Sequence, residues 1–244
     1  MTNSPKTTDR FPAQSRKRQI IETVLELVAA HGTEAVSFQL VADRIGVTQP
    51  AVFRHFPTKE VLWLAVMDWL EQRLVGIYSS EDEADEAALV VVSGMFLEHM
   101  QLIERYPALA KLVFSDHLRL QFPSLQARFG EIHRAYMARL SALLSRAGSD
   151  GSVPPSLNPK DGATMFLSLV QGLGFQFAIA GLQIRFQPEA ERLLALYLQG
   201  IMYEKSAADR VSGMIEAAKR RRKGSGLDVE GKRGASVRAS KRRR

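Results

Sequence analysis

Apolar residues recur every three to four positions along most of the chain, with no convincing stretch of strict alternation. That period belongs to α-helices, so the expected fold is all-α. Ile20, Val24, Leu27 and Val28 mark one face of a first helix that begins at Ser15 and stops at His31-Gly32, a glycine stop signal. Ser37 caps a second helix whose apolar positions are Leu40, Val41 and Ile45 and whose stop is Gly46. Thr48 opens a very short third helix over 49–55, and Thr58 caps a long fourth that runs to about residue 78. Only Gly46-Val47 separates the second and third helices, which predicts a helix-turn-helix over 37–56 with the first helix as its support.

The helical period continues through the rest of the chain. Helices are expected over 85–105, 107–116, 123–147, 159–183 and 188–203, broken at Tyr106-Pro107, Phe122-Pro123, 148–159 and Gln187-Pro188. A further helix is expected near 206–222. The domain reading is then a polar, disordered arm (1–14), a DNA-binding domain (15–62), a helical regulatory and dimerisation domain (63–205), and a helix grading into a basic, disordered tail (206–244).

Charge sharpens this division. The net charge of +7 is concentrated at one end: residues 219–244 carry twelve Lys/Arg against two Asp/Glu, and the remainder of the chain is mildly acidic. The overall basicity therefore describes the tail and is no evidence about the body. The tail could hold DNA phosphates without sequence preference, or be a solvated extension. The 244 residues include no cysteine, which removes disulfides, thiolate metal sites and cysteine nucleophiles. His99, His117 and His133 lack the spacing of a ligand pair, so no metal or other cofactor is expected. No G-x-S-x-G, P-loop, H-E-x-x-H or dinucleotide fingerprint is present, and the reading is not an enzyme. The first residues contain no apolar core of a secretory signal; a cytoplasmic, nucleoid-associated protein is expected.

The chemistry concentrates in "TQPAVFRHFPTK" (48–59). A recognition helix must bring its first turn against base edges, where bulk is unwelcome. Pro50 belongs in a first turn, where its missing N–H costs little. Ala51 is short enough to meet a thymine methyl, and Gln49 can pair with an adenine edge. Val52 and Phe56 are expected to pack inward, and Phe53 to face the groove or the DNA backbone. Arg54, His55 and Lys59 lie where phosphates would pass, as do Arg16, Lys17 and Arg18 at the start of the first helix; the latter three could equally be a solvated helix end. Thr48 is expected to cap the short helix, and Ser37 joins the candidate DNA-binding set at the start of the supporting helix.

These residues carry a resemblance. "VADRIGV" at 41–47, followed by "FRHFPTKEVL" at 53–62, sits within a segment of about 16–67 that resembles the DNA-binding domain of the TetR/AcrR (tetracycline repressor-like) family of transcriptional regulators. The resemblance implies a homodimer that places two recognition helices on a pseudo-palindromic operator in double-stranded DNA. It implies repression, with release by a small ligand bound in the C-terminal domain. It carries tip contacts onto Thr48, Gln49, Pro50 and Ala51, and phosphate contacts onto Phe53, His55 and Lys59. The family most often has Tyr where this chain has Phe53, so one hydroxyl–phosphate bond is missing. A weaker resemblance of 109–144 to the family's nucleoid-occlusion member implies an alternative: a DNA-binding architectural factor that answers to a protein partner.

In the C-terminal domain, Met95, Phe96, His99, Met100, Phe114, His117, Phe129, His133, Tyr136, Met137 and Phe166 are the candidate lining of a pocket. For any one of them taken singly, plain core packing is the favoured reading. Near-neutral lining favours an apolar or aromatic effector. Between Asp161 and Arg185 lie 23 residues without a charge, long enough to span a bilayer but diluted by glycine, glutamine, serine and threonine. The expectation is a helix buried in protein, with no membrane partner. The family resemblance makes it half of a dimer interface, with Leu169, Gly172, Phe175 and Gln176 on it, Gly174 and Gly181 allowing close approach, and Leu193, Leu196, Tyr197 and Gly200 on the following helix.

Overall fold

A computed structural model describes residues 13–78, 87–180 and 186–202, which form ten α-helices: α1 (Ala13–His31), α2 (Phe38–Ile45), α3 (Gln49–Phe53), α4 (Lys59–Tyr78), α5 (Ala88–Arg105), α6 (Ala108–Val113), α7 (Asp116–Gln121), α8 (Pro123–Ser149), α9 (Pro159–Ala180) and α10 (Phe186–Ile201). The all-α expectation holds, and helix starts and stops follow the caps read from the sequence to within a few residues. Helix α1 begins slightly earlier than Ser15, so Ala13 and Gln14 leave the arm assigned to 1–14. The expected starts and ends at 85–86, 181–183 and 203, the helix at 206–222 and the basic tail lie outside the described residues.

One element differs. The single helix expected over 107–116 is two short ones, α6 and α7, meeting at Phe114-Ser115. Ser115 turns the chain because its hydroxyl accepts from the Leu118 N–H (3.3 Å) and caps α7. The Arg119 guanidinium then donates back to the Val113 carbonyl at 2.5 Å. The serine-aspartate pair at 115–116 was the signal for a new helix start.

Helix α4 runs unbroken through the domain boundary expected at 62–63. Leu62, Trp63, Val66, Met67, Trp69, Leu70 and Leu74 are all buried, because α4 packs on α1 at one end and on α5 and α8 further along. A helix covered on several sides is apolar on several sides. Helix α9 packs chiefly on α8, with α5, α6 and α10 also against it, burying Ala163, Phe166, Leu167, Val170, Leu173 and Phe177. Among the described residues no helix is long and apolar enough to cross a membrane.

Candidate nucleic-acid interface

The turn between α2 and α3 is set by Gly46. Its φ of 69° lies in the left-handed region, which a side chain enters only with strain. The Val47 N–H then reaches back to the Ala42 carbonyl at 3.0 Å, closing α2 in a Schellman-type stop. At the other end of α2 the Ser37 hydroxyl accepts from the Leu40 N–H at 3.1 Å. Ser37 is therefore committed to capping. Val52 and Phe56 are fully buried beneath α3, which fixes the rotation of this short helix and turns residues 48–51 outward.

Thr48 precedes α3 with extended backbone, but its hydroxyl makes no cap bond, which corrects the capping role expected for it. Pro50 follows in the first turn and lacks the N–H that a cap would otherwise satisfy. The hydroxyl is therefore exposed and uncommitted. Gln49 is half-buried, Pro50 exposed and Ala51 half-buried. Neither Thr48 nor Gln49 makes a side-chain hydrogen bond among the described residues. Phe53 is 40% exposed and rests one face on Phe38, ring centroids 4.4 Å apart. Phe38 is the aromatic platform that the apolar period alone did not single out.

Basic groups converge beside this tip. The Lys17 ammonium lies over the Phe56 ring, 5.9 Å from its centroid, which brings the start of α1 to the end of α3. The His55 imidazole is held below its usual range, first by partial burial and then by the charges of Lys17, Arg54 and Arg16. One histidine thus senses three cations drawn from two separate helical segments. Arg16 also bonds Gln19 at 2.6 Å, and Arg18 pairs with Glu22 at 3.1 Å, leaving Arg18 part of a solvated helix surface. Lys59 is exposed at the first position of α4. A cation there opposes the helix dipole, so this position favours an anion rather than helix stability. Thr58 satisfies the nearby Val61 N–H at 3.2 Å. The arrangement is an exposed polar tip with cations gathered beside it, the charge distribution that suits a nucleic-acid surface.

The candidate pocket residues separate into three places. Met95, Phe96, Met100, Tyr136 and Phe166 are buried together between α5, α8 and α9, with His99 enclosed beside them and Met137 partly buried at the edge. Their rings interlock: Phe96 on Phe166 at 5.4 Å, Tyr136 on Phe166 at 6.5 Å, His99 on Tyr136 at 5.4 Å. Phe114 and His117 lie elsewhere, in a surface groove of about 510 Å³ between residues 31–34, the α6–α7 corner and Phe175 of α9. The new corner at Ser115 swings them out of the interior. Phe129 and His133 stack loosely on each other, 6.4 Å apart, with His133 exposed, because they fall on the outer side of α8.

The dimer candidates also divide. Phe175, Gln176, Leu196 and Gly200 are exposed and Leu169, Gly172 and Leu193 half-buried, whereas Tyr197 is buried within its own chain. The Tyr197 hydroxyl donates to the Gly162 carbonyl at 3.1 Å, and burial pushes its phenol pKa up; Tyr197 joins α10 to α9 and is no surface residue. A Cβ on Gly174 would stand 3.3 Å from Ile103 of the same chain, so its closeness serves the monomer's core. Gly181 lies outside the described residues.

Ten helices with a capped helix-turn-helix and a cationic tip define a helix-turn-helix DNA-binding regulator. Residues 20–66 match the family model of the bacterial regulatory proteins, tetR family. The fold is shared with a putative TetR-family transcriptional regulator from Rhodococcus sp. (TM-score 0.66, 17% identity, covering 78% of this chain and 100% of that one). It is shared too with the transcriptional regulator FadR from Bacillus subtilis in complex with stearoyl-CoA (TM-score 0.64, 20% identity, covering 75% and 98%). In sequence, the nucleoid occlusion factor SlmA of Marinobacter nauticus is 26% identical over 169 residues, 65% of this chain and 81% of that protein. Residues 20–66 are thus a DNA-binding domain of the tetR family of bacterial regulatory proteins, and the rest of the chain shares the fold of the solved regulators.

Proposed function

We propose that the protein is a dimeric repressor whose two α3 tips occupy successive major grooves of a pseudo-palindromic operator, and that a small molecule bound between the C-terminal helices releases it. The observation that carries the DNA half is the convergence of Arg16, Lys17, Arg54 and His55 beside an outward tip, Thr48 to Ala51, whose polar side chains are otherwise uncommitted. Phe53 and Lys59 extend the phosphate-facing edge. The dimer half is supported by large apolar side chains left exposed on α9 and α10, namely Met165, Phe175 and Leu196, which a second copy would cover. The structurally similar FadR was solved in complex with stearoyl-CoA, which supports a ligand-responsive reading.

Selection of bound duplexes from a random library, with the full chain at raised salt to weaken any hold by the basic tail, tests this directly. A two-fold symmetric consensus is the expected result. Recovery of no consensus overturns the operator reading.

A second reading has its own support, since the sequence relatives named nucleoid occlusion factor SlmA align over most of their length. In that reading the protein binds its sites constitutively and acts through a protein partner. The two part on one measurement: under the first, some small molecule abolishes binding to the selected duplex, and under the second none does.

A further inference from the structure

Four side chains on α4 and at the end of α5 form a ladder that neither the candidate DNA surface nor the dimer candidates use. The Arg73 guanidinium lies over the Trp69 ring, 5.2 Å from its centroid. Trp69 meets Tyr106 edge to face at 4.7 Å, and the Arg105 guanidinium lies over the Tyr106 ring at 5.7 Å. Arg73 is half-buried and Arg105 exposed. Among the described residues neither makes an ion pair. Arg18, Arg44, Arg119, Arg128 and Arg192 are each paired with a carboxylate.

The indole in this ladder is not explained by packing. Trp69 is buried, and among the described residues its Nε1 is the one sealed side-chain polar atom without a hydrogen-bond partner. An unpaired buried donor is destabilising, and a phenyl ring would bring none into the core. What the indole adds is the strongest aromatic face for a cation. A guanidinium stacked on a ring is already ordered and keeps its planar fork of donors for an anion. The surrounding charge says which anion. Asp68 and Glu104, both exposed, stand next in the chain to Trp69 and Arg105. A nucleic acid brings closely spaced phosphates, which these carboxylates would repel. A peptide with one or two carboxylates set among apolar side chains suits two separate forks and a half-exposed tyrosine ring. The ladder also starts well beyond Lys59 on α4, on the order of 15 Å along the helix axis, which separates it from the α3 tip.

We propose that Arg73, Trp69, Tyr106 and Arg105 together dock an acidic segment of a partner protein, a short extended peptide whose carboxylates engage the two guanidinium groups and whose apolar side chains rest against Tyr106. The proposal deepens the second reading above, in which the protein acts through a partner. It rests on that reading for its consequence in the cell, though not for the binding itself.

The test is an array of random synthetic peptides probed with the full chain at raised salt, beside Arg73→Glu and Arg105→Glu, with the retained peptides then titrated by fluorescence anisotropy. All the proteins compared keep the basic tail, so only differences between them report on the ladder. Retained peptides are expected to combine Asp or Glu with apolar residues. Each variant is expected to bind them about tenfold more weakly, the scale of one charge-assisted hydrogen bond, while holding the selected duplex as before. Arg73→Lys, which keeps the charge but not the stacked fork, should lose severalfold. Should a charge reversal not fold, Arg73→Gln and Arg105→Gln stand in with the same direction of change. Peptide binding unchanged in both variants would assign it to the tail and overturn the ladder, as would retained peptides with no excess of acidic residues. Loss of oligothymidylate binding in the variants, with peptide binding intact, would give the surface to nucleic acid instead. If the acidic peptides bind as expected but a small molecule releases the selected duplex, the ladder stands and the second reading falls.

Discussion

His55 sits where its own protonation works against three neighbouring cations, and that sets a pH dependence for DNA binding. In the free protein its pKa is depressed; a phosphate placed beside it favours the charged form and raises that pKa. Binding therefore takes up a proton in the window around and below the ordinary imidazole value. Affinity for the selected duplex should rise as pH falls from 7.5 toward 6, and His55→Gln should flatten the slope in a fluorescence-anisotropy titration. At the tip, Gln49→Ala should relax base preference at one position per half-site, at a cost of ~1–3 kcal/mol on the preferred sequence. Lys59→Ala should weaken all duplexes about equally and lower the salt slope. A preferred site unchanged by Gln49→Ala would rule out its role in reading bases. The buried His99 makes an opposite, stability-level prediction. Its folded pKa of about 4 lies below the unfolded value, so the unfolded chain binds the extra proton between the two. Stability is full above about pH 6.5 and falls as pH drops toward 4, by up to ~3 kcal/mol for a shift of that size. The urea midpoint of the wild type should fall relative to that of His99→Phe as pH drops through that window.

At the scale of elements, α4 links the candidate DNA surface to the C-terminal helices. Lys59 stands at its start, and further along Asp68 and Glu71 hold Arg128 of α8: the guanidinium meets Asp68 at 3.0 Å, Glu71 more closely, and Glu131 at 3.2 Å. Ser124 of α8 also bonds Glu60 of α4. The bond to Glu71 is the largest of the effects that raise the Arg128 pKa, so the guanidinium stays charged throughout the accessible range. A second tie joins α1 to α6, where the Lys111 ammonium donates to the Ala29 carbonyl at 2.6 Å and Thr33 meets Ser115 at 3.0 Å. Arg128→Ala leaves several carboxylates without their shared cation. With Arg128 only 23% exposed but two of its partners over half exposed, screening limits the loss to about 1–2 kcal/mol. Thermal unfolding should register it, and a duplex affinity that falls further than stability does would mark α4 as a carrier of coupling. The element boundaries were legible because glycine, proline and serine punctuate the chain. These ties were not, since Arg128 and Glu71 are brought together only by packing.

Among the described residues, α9 and α10 both leave large apolar side chains exposed. Leu196 is 61% exposed in the middle of α10, and Met165 and Phe175 are exposed on α9. Leu196→Arg should yield a monomer in sedimentation and cost at least about tenfold in operator affinity, because a monomer engages one half-site where a dimer engages two. A dimer that survives this change would move the interface elsewhere.

By itself the amino-acid sequence determined the all-helical class, the caps at Ser37 and Thr58, the left-handed stop at Gly46 and the inward pair Val52 and Phe56. These are local properties, read from neighbours within one or two turns. The tip and its cations were legible for the same reason, being packed into 48–59 and the first turns of α1. Only the tertiary structure decided which of the scattered rings and histidines meet. His99 and Tyr136 lie 37 positions apart and pair across two helices. Phe114 and His117 are turned outward by a corner at Ser115, and Tyr197 is buried where its helix face alone suggested exposure. Side-chain periodicity says that a helix has an inner face; which helix covers it, and at what rotation, is settled by packing among all of them.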